Sequence, residues 1–223
     1  KLTRGLSGFV NAILRSVIRE QDSIGIEDLA ANDIEAISFI YNVPLWLINL
    51  WIREFGRDKT EDLCAWFNEQ PKLTARINTI LIDIPQCLSL LNEQGWDVTQ
   101  DTNYKDIIYI NSHRGSLEKS EAFIKGYITF MDKASMLVAR LVNPQPGERI
   151  LDCCAAPGGK SMYMATLMDN VGSLMSCDIH EHKIELMNSN ADRLGASIVH
   201  TKVQDATKLP DSWNSYFDRV LVD

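Results

Sequence analysis

"ILDCCAAPGGKSMY", Ile150 to Tyr163, decides how the last third of this chain is read. A short apolar run ends in an acid and two cysteines, turns through Pro157-Gly158-Gly159, and continues into a helix-forming segment. Three ligands suit a glycine loop in that setting. A phosphate loop of the G-x-x-x-x-G-K-[ST] type needs a first glycine where Cys154 stands, and Pro157 removes an amide from a loop meant to offer amides. A dinucleotide loop needs G-x-G-x-x-G, whose glycines "APGGKSMY" lacks. An S-adenosylmethionine loop asks only that backbone come close to an uncharged nucleoside, which the two glycines permit.

Around this loop the chain alternates strand and helix: "RILDC", "KSMYMATLM", "GSLMSCDI", "EHKIELMNSNADRL", "SIVHTKV" and "FDRVLVD". In the second helix Ile184, Met187, Ala191 and Leu194 share a face, and Gly195 stands where a C-terminal cap belongs. Such alternation predicts a parallel sheet that binds ligands at the carboxyl ends of its strands. Acids close or follow the last three strands (Asp178, Asp205, Asp223), and Asp152 lies near the end of the first. Asp is common at turns for local reasons. Four in register point to one crevice, where a carboxylate past the second strand is placed to accept ribose hydroxyls.

Upstream the rhythm differs. Val10, Ile13, Leu14, Val17 and Ile18 predict a helix from Ser7 to Glu20 with one buried face. "PLWLINLWIREFG" follows, opened by Pro44 and closed by Gly56, and Thr60 is expected to open another helix that stops before Pro71. Trp46, Trp51, Trp66 and Phe67 share helical faces with Leu47, Leu50 and Leu63, which predicts core positions. After Pro71, "TARINTILI" reads as a strand, "PQCLSLLNEQG" as a helix, and "WDVTQ" and "IIYIN" as strands, a small α+β module over Leu73 to Ser116. A helix from Lys133 to Val142 ends in "NPQPGE", the strongest boundary signal. The divisions expected are 1–70, 71–143 and 144–223.

Composition limits the function classes. With 45% hydrophobic and 23% charged residues and no apolar run near the roughly 18 residues of a membrane span, a soluble cytoplasmic protein is expected. No signal peptide is read at the start of the chain. The five cysteines, Cys64, Cys87, Cys153, Cys154 and Cys177, follow no zinc or disulfide spacing. A net charge of −8 argues against a uniformly basic coat but leaves room for a local RNA-binding patch.

"DCCAAPGGKS", "CDIHEHK", "VQDAT" and "FDRVLVD" resemble, in order and spacing, the first four motifs of the RNA cytosine-C5 methyltransferases, most closely the bacterial Sun/RsmB type that acts on small-subunit ribosomal RNA. "RGLSGFVNAILR" resembles the end of that family's NusB-like RNA-binding domain, and "PLWLINLW" and "TARINT" its linker helices and small module. The resemblance implies a Rossmann-like class I methyltransferase sheet, cut after its fourth strand, in an α/β chain. It implies S-adenosyl-L-methionine on Cys154, Ala155, Ala156, Pro157, Gly158, Gly159 and Lys160, its ribose on Asp178, its adenine near Asp205 and its methionine end near Asp223. Cys153 stands where relatives usually have Leu, Lys183 where Arg is common, and Met131-Asp132 where Gln-Asp is frequent.

Cytosine carbon 5 is a weak nucleophile until a thiolate adds at carbon 6, so such an enzyme needs a catalytic cysteine. Asp223 matches the start of the family's Asp-Ala-Pro-Cys motif, which places the nucleophile after the residues given. No catalytic residue is assigned within them, and the fragment alone is expected to be inactive. Cys153 and Cys154 read as small buried thiols at a strand end, and Cys177 as packing. The expected partner is small-subunit ribosomal RNA, with no metal, no membrane and a monomeric state. One rival is a non-catalytic RNA-binding module using Lys1, Arg4, Arg15 and Arg19, a set that also reads as a solvated face. The other is a methyltransferase with a different acceptor.

Overall fold

The computed structural model describes residues 7–20 and 33–223. Residues 1–71 and 72–223 form two compact units. Lys1 and Arg4 lie outside the described residues.

In the first unit, helix α1 (Ser7–Glu20) forms where the periodicity places it, but its apolar stripe is not buried. Phe9, Ile13, Leu14 and Ile18 are all exposed, because nothing among the described residues packs on that face. Helices α2 (Asp33–Tyr41), α3 (Leu45–Phe55) and α4 (Arg57–Asn68) enclose a small core of Ile37, Ile48 and Cys64. Gly56, at φ +83°, ends α3 and at once precedes α4, so the break predicted at Thr60 lies earlier. Thr60 is inside α4 and donates its hydroxyl to the Gly56 carbonyl at 2.8 Å. The core is too small to take the aromatics. Trp46, Trp66 and Phe67 are exposed, contrary to their expected burial, while Trp51 is half-buried and stacks on Phe67 at 5.6 Å.

The second unit opens with β1 (Leu73–Ile77), α5 (Ile84–Glu93), β2 (Asp97–Gln100), β3 (Ile107–Ser112), the short α6 (Glu121–Ile124) and β4 (Ile128–Phe130). Its antiparallel sheet has the order β2-β3-β1-β4. The "TILI" half of the predicted first strand is a turn instead. Asn78 ends the strand: its Oδ1 accepts from the Ile80 amide, and its buried Nδ2 donates to the carbonyls of Gly126 and Leu194. Strand alternation puts Ala75, Ile77, Ile108 and Ile110 in the core under α5 and α6.

Helix α7 (Lys133–Leu141) leads into β5 (Arg149–Asp152), α8 (Gly159–Leu167), β6 (Ser173–Asp178), α9 (Glu181–Leu194), β7 (Val199–Val203) and β8 (Arg219–Leu221). The four strands are parallel in the order β7-β6-β5-β8, a Rossmann-like sheet whose order reverses beside β5. Gly195, at φ +64°, caps α9 as predicted. Ile107, Met136 and Ala139 share one core with Ile150, Tyr163, Met164 and Leu174, so the small module and the parallel sheet are packed together. Among the described residues no single helix is long and apolar enough to cross a membrane.

Candidate functional site

Parallel register sets the site. Asp152 lies opposite Ser176, and Asp178 opposite Val203, so the segments after β5, β6 and β7 emerge at the same edge of the sheet. There a cleft of about 300 Å³ is lined by Cys153, Cys154, Asp178, Ile179, His180, Lys183, Gln204, Asp205 and Ala206.

Asp178 is 7% exposed. Its Oδ1 accepts the His180 amide at 2.9 Å, which turns the chain into α9, and its Oδ2 is 3.8 Å from the Lys183 ammonium. One carboxylate oxygen therefore faces a loose cation rather than a fixed donor. Asp205 accepts from both the hydroxyl and the amide of Thr207, with Lys208 at 3.6 Å, and the Thr207 hydroxyl above all holds its pKa below the usual carboxylate value. Both acids thus shape local turns and also present charge to the cleft.

The glycine loop crosses the end of β5. The Ala155 amide donates to the Cys177 carbonyl at 2.7 Å, tying the loop to β6, and the Ala156–Pro157 bond is cis. Gly158 sits at φ +99°, and a Cβ there would lie 3.2 Å from Met162 Cε, so the position requires glycine. Asp152 is buried beneath the loop, accepting from Ser161 Oγ at 2.6 Å, while Ser161 in turn accepts from Ser176 at 2.8 Å. Burial raises the Asp152 pKa.

Of the sequence-predicted site residues, Cys154, Asp178 and Asp205 meet around the cleft. Lys160 and Asp223 meet each other as an ion pair on the β8 side of the loop. Ala155, Ala156, Pro157, Gly158 and Gly159 build the loop and the start of α8 without lining that cleft. Cys153 and Cys177 are buried together with Leu151, and burial pushes the Cys177 thiol up to about 11. Cys154, expected to be buried, is exposed, because it turns away from the strand into the cleft mouth. Ile179, His180, Gln204 and Ala206 were not singled out from sequence. Their signal was position: each falls within two residues of a strand's terminal residue or of an assigned acid.

A buried cation and a clasp lie behind the loop. Arg76 is fully buried, donates to Thr166 at 3.2 Å and lies 5.1 Å from the Tyr163 ring centre; desolvation lowers its pKa to about 10. Asp106, Arg140 and Tyr163 form a hydrogen-bonded group beside it.

Residues 139–223 match the family described as 16S rRNA methyltransferase RsmB/F, and residues 43–115 match the RsmF/B-like ferredoxin-like domain. The "Probable ribosomal RNA small subunit methyltransferase B" of Bacillus subtilis is 35% identical over 221 residues, covering 99% of this chain and 48% of that protein. The protein of the same name from a Synechocystis species is 33% identical over 210 residues, covering 92% and 46%. The chain thus spans about half the length of the curated relatives it matches. Among solved structures, that of PH0851 superposes with a TM-score of 0.74 at 30% identity, over 81% of this chain and 40% of that one. A methyltransferase homolog from Pyrococcus horikoshii gives 0.72 at 22% identity, over 79% and 57%, a likeness of fold.

Proposed function

We propose, for a chain that belongs to the RsmB/F methyltransferase family, that residues 144–223 form the S-adenosylmethionine-binding part of an enzyme that methylates carbon 5 of a cytosine in small-subunit ribosomal RNA. The observation that carries this reading is the buried Asp178 at the end of β6, sharing one cleft with Cys154 and Asp205. When bound, the cofactor supplies a methyl group on a sulfonium. Asp178 would accept the ribose hydroxyls, as carboxylates at this position of such sheets do. Asp205 would border the adenine, and Cys154 through Lys160 would bring backbone close to the nucleoside and methionine. Asp223, paired with Lys160, would lie toward the methionine end and the target base.

The thiols support the reading that the nucleophile is not among these residues. Burial raises the pKa of Cys64, Cys87, Cys153 and Cys177, which disfavours the thiolate that attack requires. Cys154 faces the cofactor cleft. This stretch alone is therefore expected to bind cofactor without turning it over. Residues 1–70 are read as the end of a NusB-like RNA-binding region with linker helices, and 71–143 as the small module with its connecting helix. Arg15 and Arg19 on α1 are candidate RNA contacts.

The test is calorimetric titration of S-adenosylmethionine into the wild type and into Asp178→Ala. Loss of a charged hydrogen bond to a hydroxyl weakens binding by about tenfold or more. Equal affinity in the two proteins would remove the ribose assignment, and no binding by the wild type would remove the cofactor reading.

A further inference from the structure

We propose that Asp106 and Arg140 are positioning residues for the cofactor loop, acting through the phenol of Tyr163; this inference rests on the reading of that loop given above. Tyr163 lies one turn into α8, the helix that begins at Gly159, and it is fully buried. Its hydroxyl donates to Asp106 Oδ2 at 2.6 Å and accepts from Arg140 Nε at 2.6 Å, while Arg140 Nη2 donates to Asp106 Oδ1 at 2.5 Å. Each of the three groups is thus bonded to the other two. They come from three segments: the turn before β3, helix α7 and helix α8.

Packing alone does not call for this arrangement. A phenylalanine would fill the same apolar space, but a buried hydroxyl must be satisfied, and charged partners make strong, directional bonds to it. Arg140 is itself fixed by lying 4.4 Å from the Tyr104 ring centre, and Arg76 approaches the Tyr163 ring from β1. The ring is held in direction as well as depth. Burial and the Asp106 carboxylate raise the Tyr163 pKa, so the phenol stays protonated as the donor. A helix held this way cannot slide or rotate about its axis without breaking charge-assisted bonds. The loop from Cys154 to Lys160 runs directly into it.

Two independent contacts put the same small module against the site. Thr74 Oγ1 donates to the Met131 carbonyl at 2.7 Å, and a Cβ on Gly159 would meet Met131 Sδ at 3.7 Å, so the residue after β4 borders the loop itself. Asn78 donates to the Leu194 carbonyl at 2.8 Å, and Arg193 donates to the Phe123 carbonyl at 2.9 Å, which seats the C-terminal end of α9 on the module. The N-terminal end of α9 adjoins Asp178. Helix α9, which lines the cleft through Lys183, and helix α8, into which the glycine loop runs, therefore both rest on the module.

The test uses the full chain with Tyr163→Phe, which keeps the ring and loses the hydroxyl, and, separately, Arg140→Lys, which keeps the charge and loses the guanidinium fork. Amide hydrogen exchange over residues 154–163 is measured first. Exchange there is expected to accelerate about tenfold in both variants, the loss of one charge-assisted bond, while β2 and β3 keep wild-type protection. S-adenosylmethionine affinity is then expected to fall about tenfold in the same variants. A lower melting temperature with unchanged loop exchange and unchanged affinity would reduce the clasp to packing and overturn the proposal. If the wild type binds no S-adenosylmethionine, the functional reading fails, and loop exchange alone decides the positioning role.

Discussion

Lys160 at the start of α8 and Asp223 just past β8 form an ion pair across the carboxyl ends of β5 and β8. The two side chains are 26% and 49% exposed, so water screens their attraction. Lys160→Met is expected to cost less than about 1 kcal/mol of stability, as partly exposed pairs do. Its cost to S-adenosylmethionine affinity is expected to be several-fold, because the pair borders the loop. Thermal unfolding and calorimetry on one preparation separate the two effects. A large stability loss with unaltered affinity would place the pair in the fold rather than the site.

Gly126 carries a tighter requirement. At φ +73°, it would bring a Cβ to 2.1 Å from the Arg193 carbonyl oxygen, a backbone atom with nowhere to move. Gly126→Ala is expected to destabilise by about 2–4 kcal/mol, overpacking added to left-handed strain. Gly147, at φ +88° with open space around it, supplies the control. There alanine meets strain alone, roughly 1–2 kcal/mol. Denaturant midpoints for the two variants should differ in that order, and equal losses would refute the steric part.

Asp101 provides a pH signature. It is 2% exposed and accepts from Lys133 at 2.5 Å, from Tyr109 at 2.7 Å, and from the amides of Asn103 and Tyr104. Lys133 foremost, then Tyr109 and the amides, hold its pKa well below the usual carboxylate range. A depressed folded-state pKa gives stability that is fully present above the unfolded value of about 3.9 and is lost as pH falls below it. Asp101→Asn should therefore be less stable than wild type at pH 7, and the gap should close as acid protonates the wild-type carboxylate. Urea titrations across the acid range measure this. A gap constant down to the lowest pH would contradict it.

Trp66 tests the first unit. It is 63% exposed and touches Phe67 edge-on at 5.1 Å. Trp66→Ala is expected to cost under about 1 kcal/mol, in the manner of surface positions. Trp96, 3% exposed in the module core, should cost about 3–5 kcal/mol. Comparable losses at both would mean that Trp66 is covered in solution.

The parallel sheet and its two helices were legible because strand, loop and helix signals agreed over residues 149–203, down to the cap at Gly195. The errors have local causes. "TILI" is rich in β-formers, yet the side chain of Asn78 captures the Ile80 amide and two distant carbonyls, and turns the chain. The aromatic run at 46–67 carries helical spacing, which tells where a stripe lies and not whether anything covers it. Strand β4 is only three residues long and offers too little alternation to read. Within the site, the acids at strand ends could be found by position. The clasp could not: Asp106, Arg140 and Tyr163 are separated by 34, 23 and 57 residues, beyond any local pattern. Only its neighbour Arg76 left a trace, in "LTARI", where an arginine interrupts a strand that is otherwise free of charge.

Helix α8 is buried without interruption from Ser161 to Thr166, between the parallel sheet on one side and α7 with the module on the other. A helix covered all round has no outward stripe on which substitutions can drift. Its sequence is answerable to several neighbours at once, so the segment next to the glycine loop can change only in concert with residues far away in the chain. Among relatives, variation here should come as matched sets spanning the module, α7 and α8, and transplanting "MYMAT" alone into another member of the family would carry half of a lock without its key.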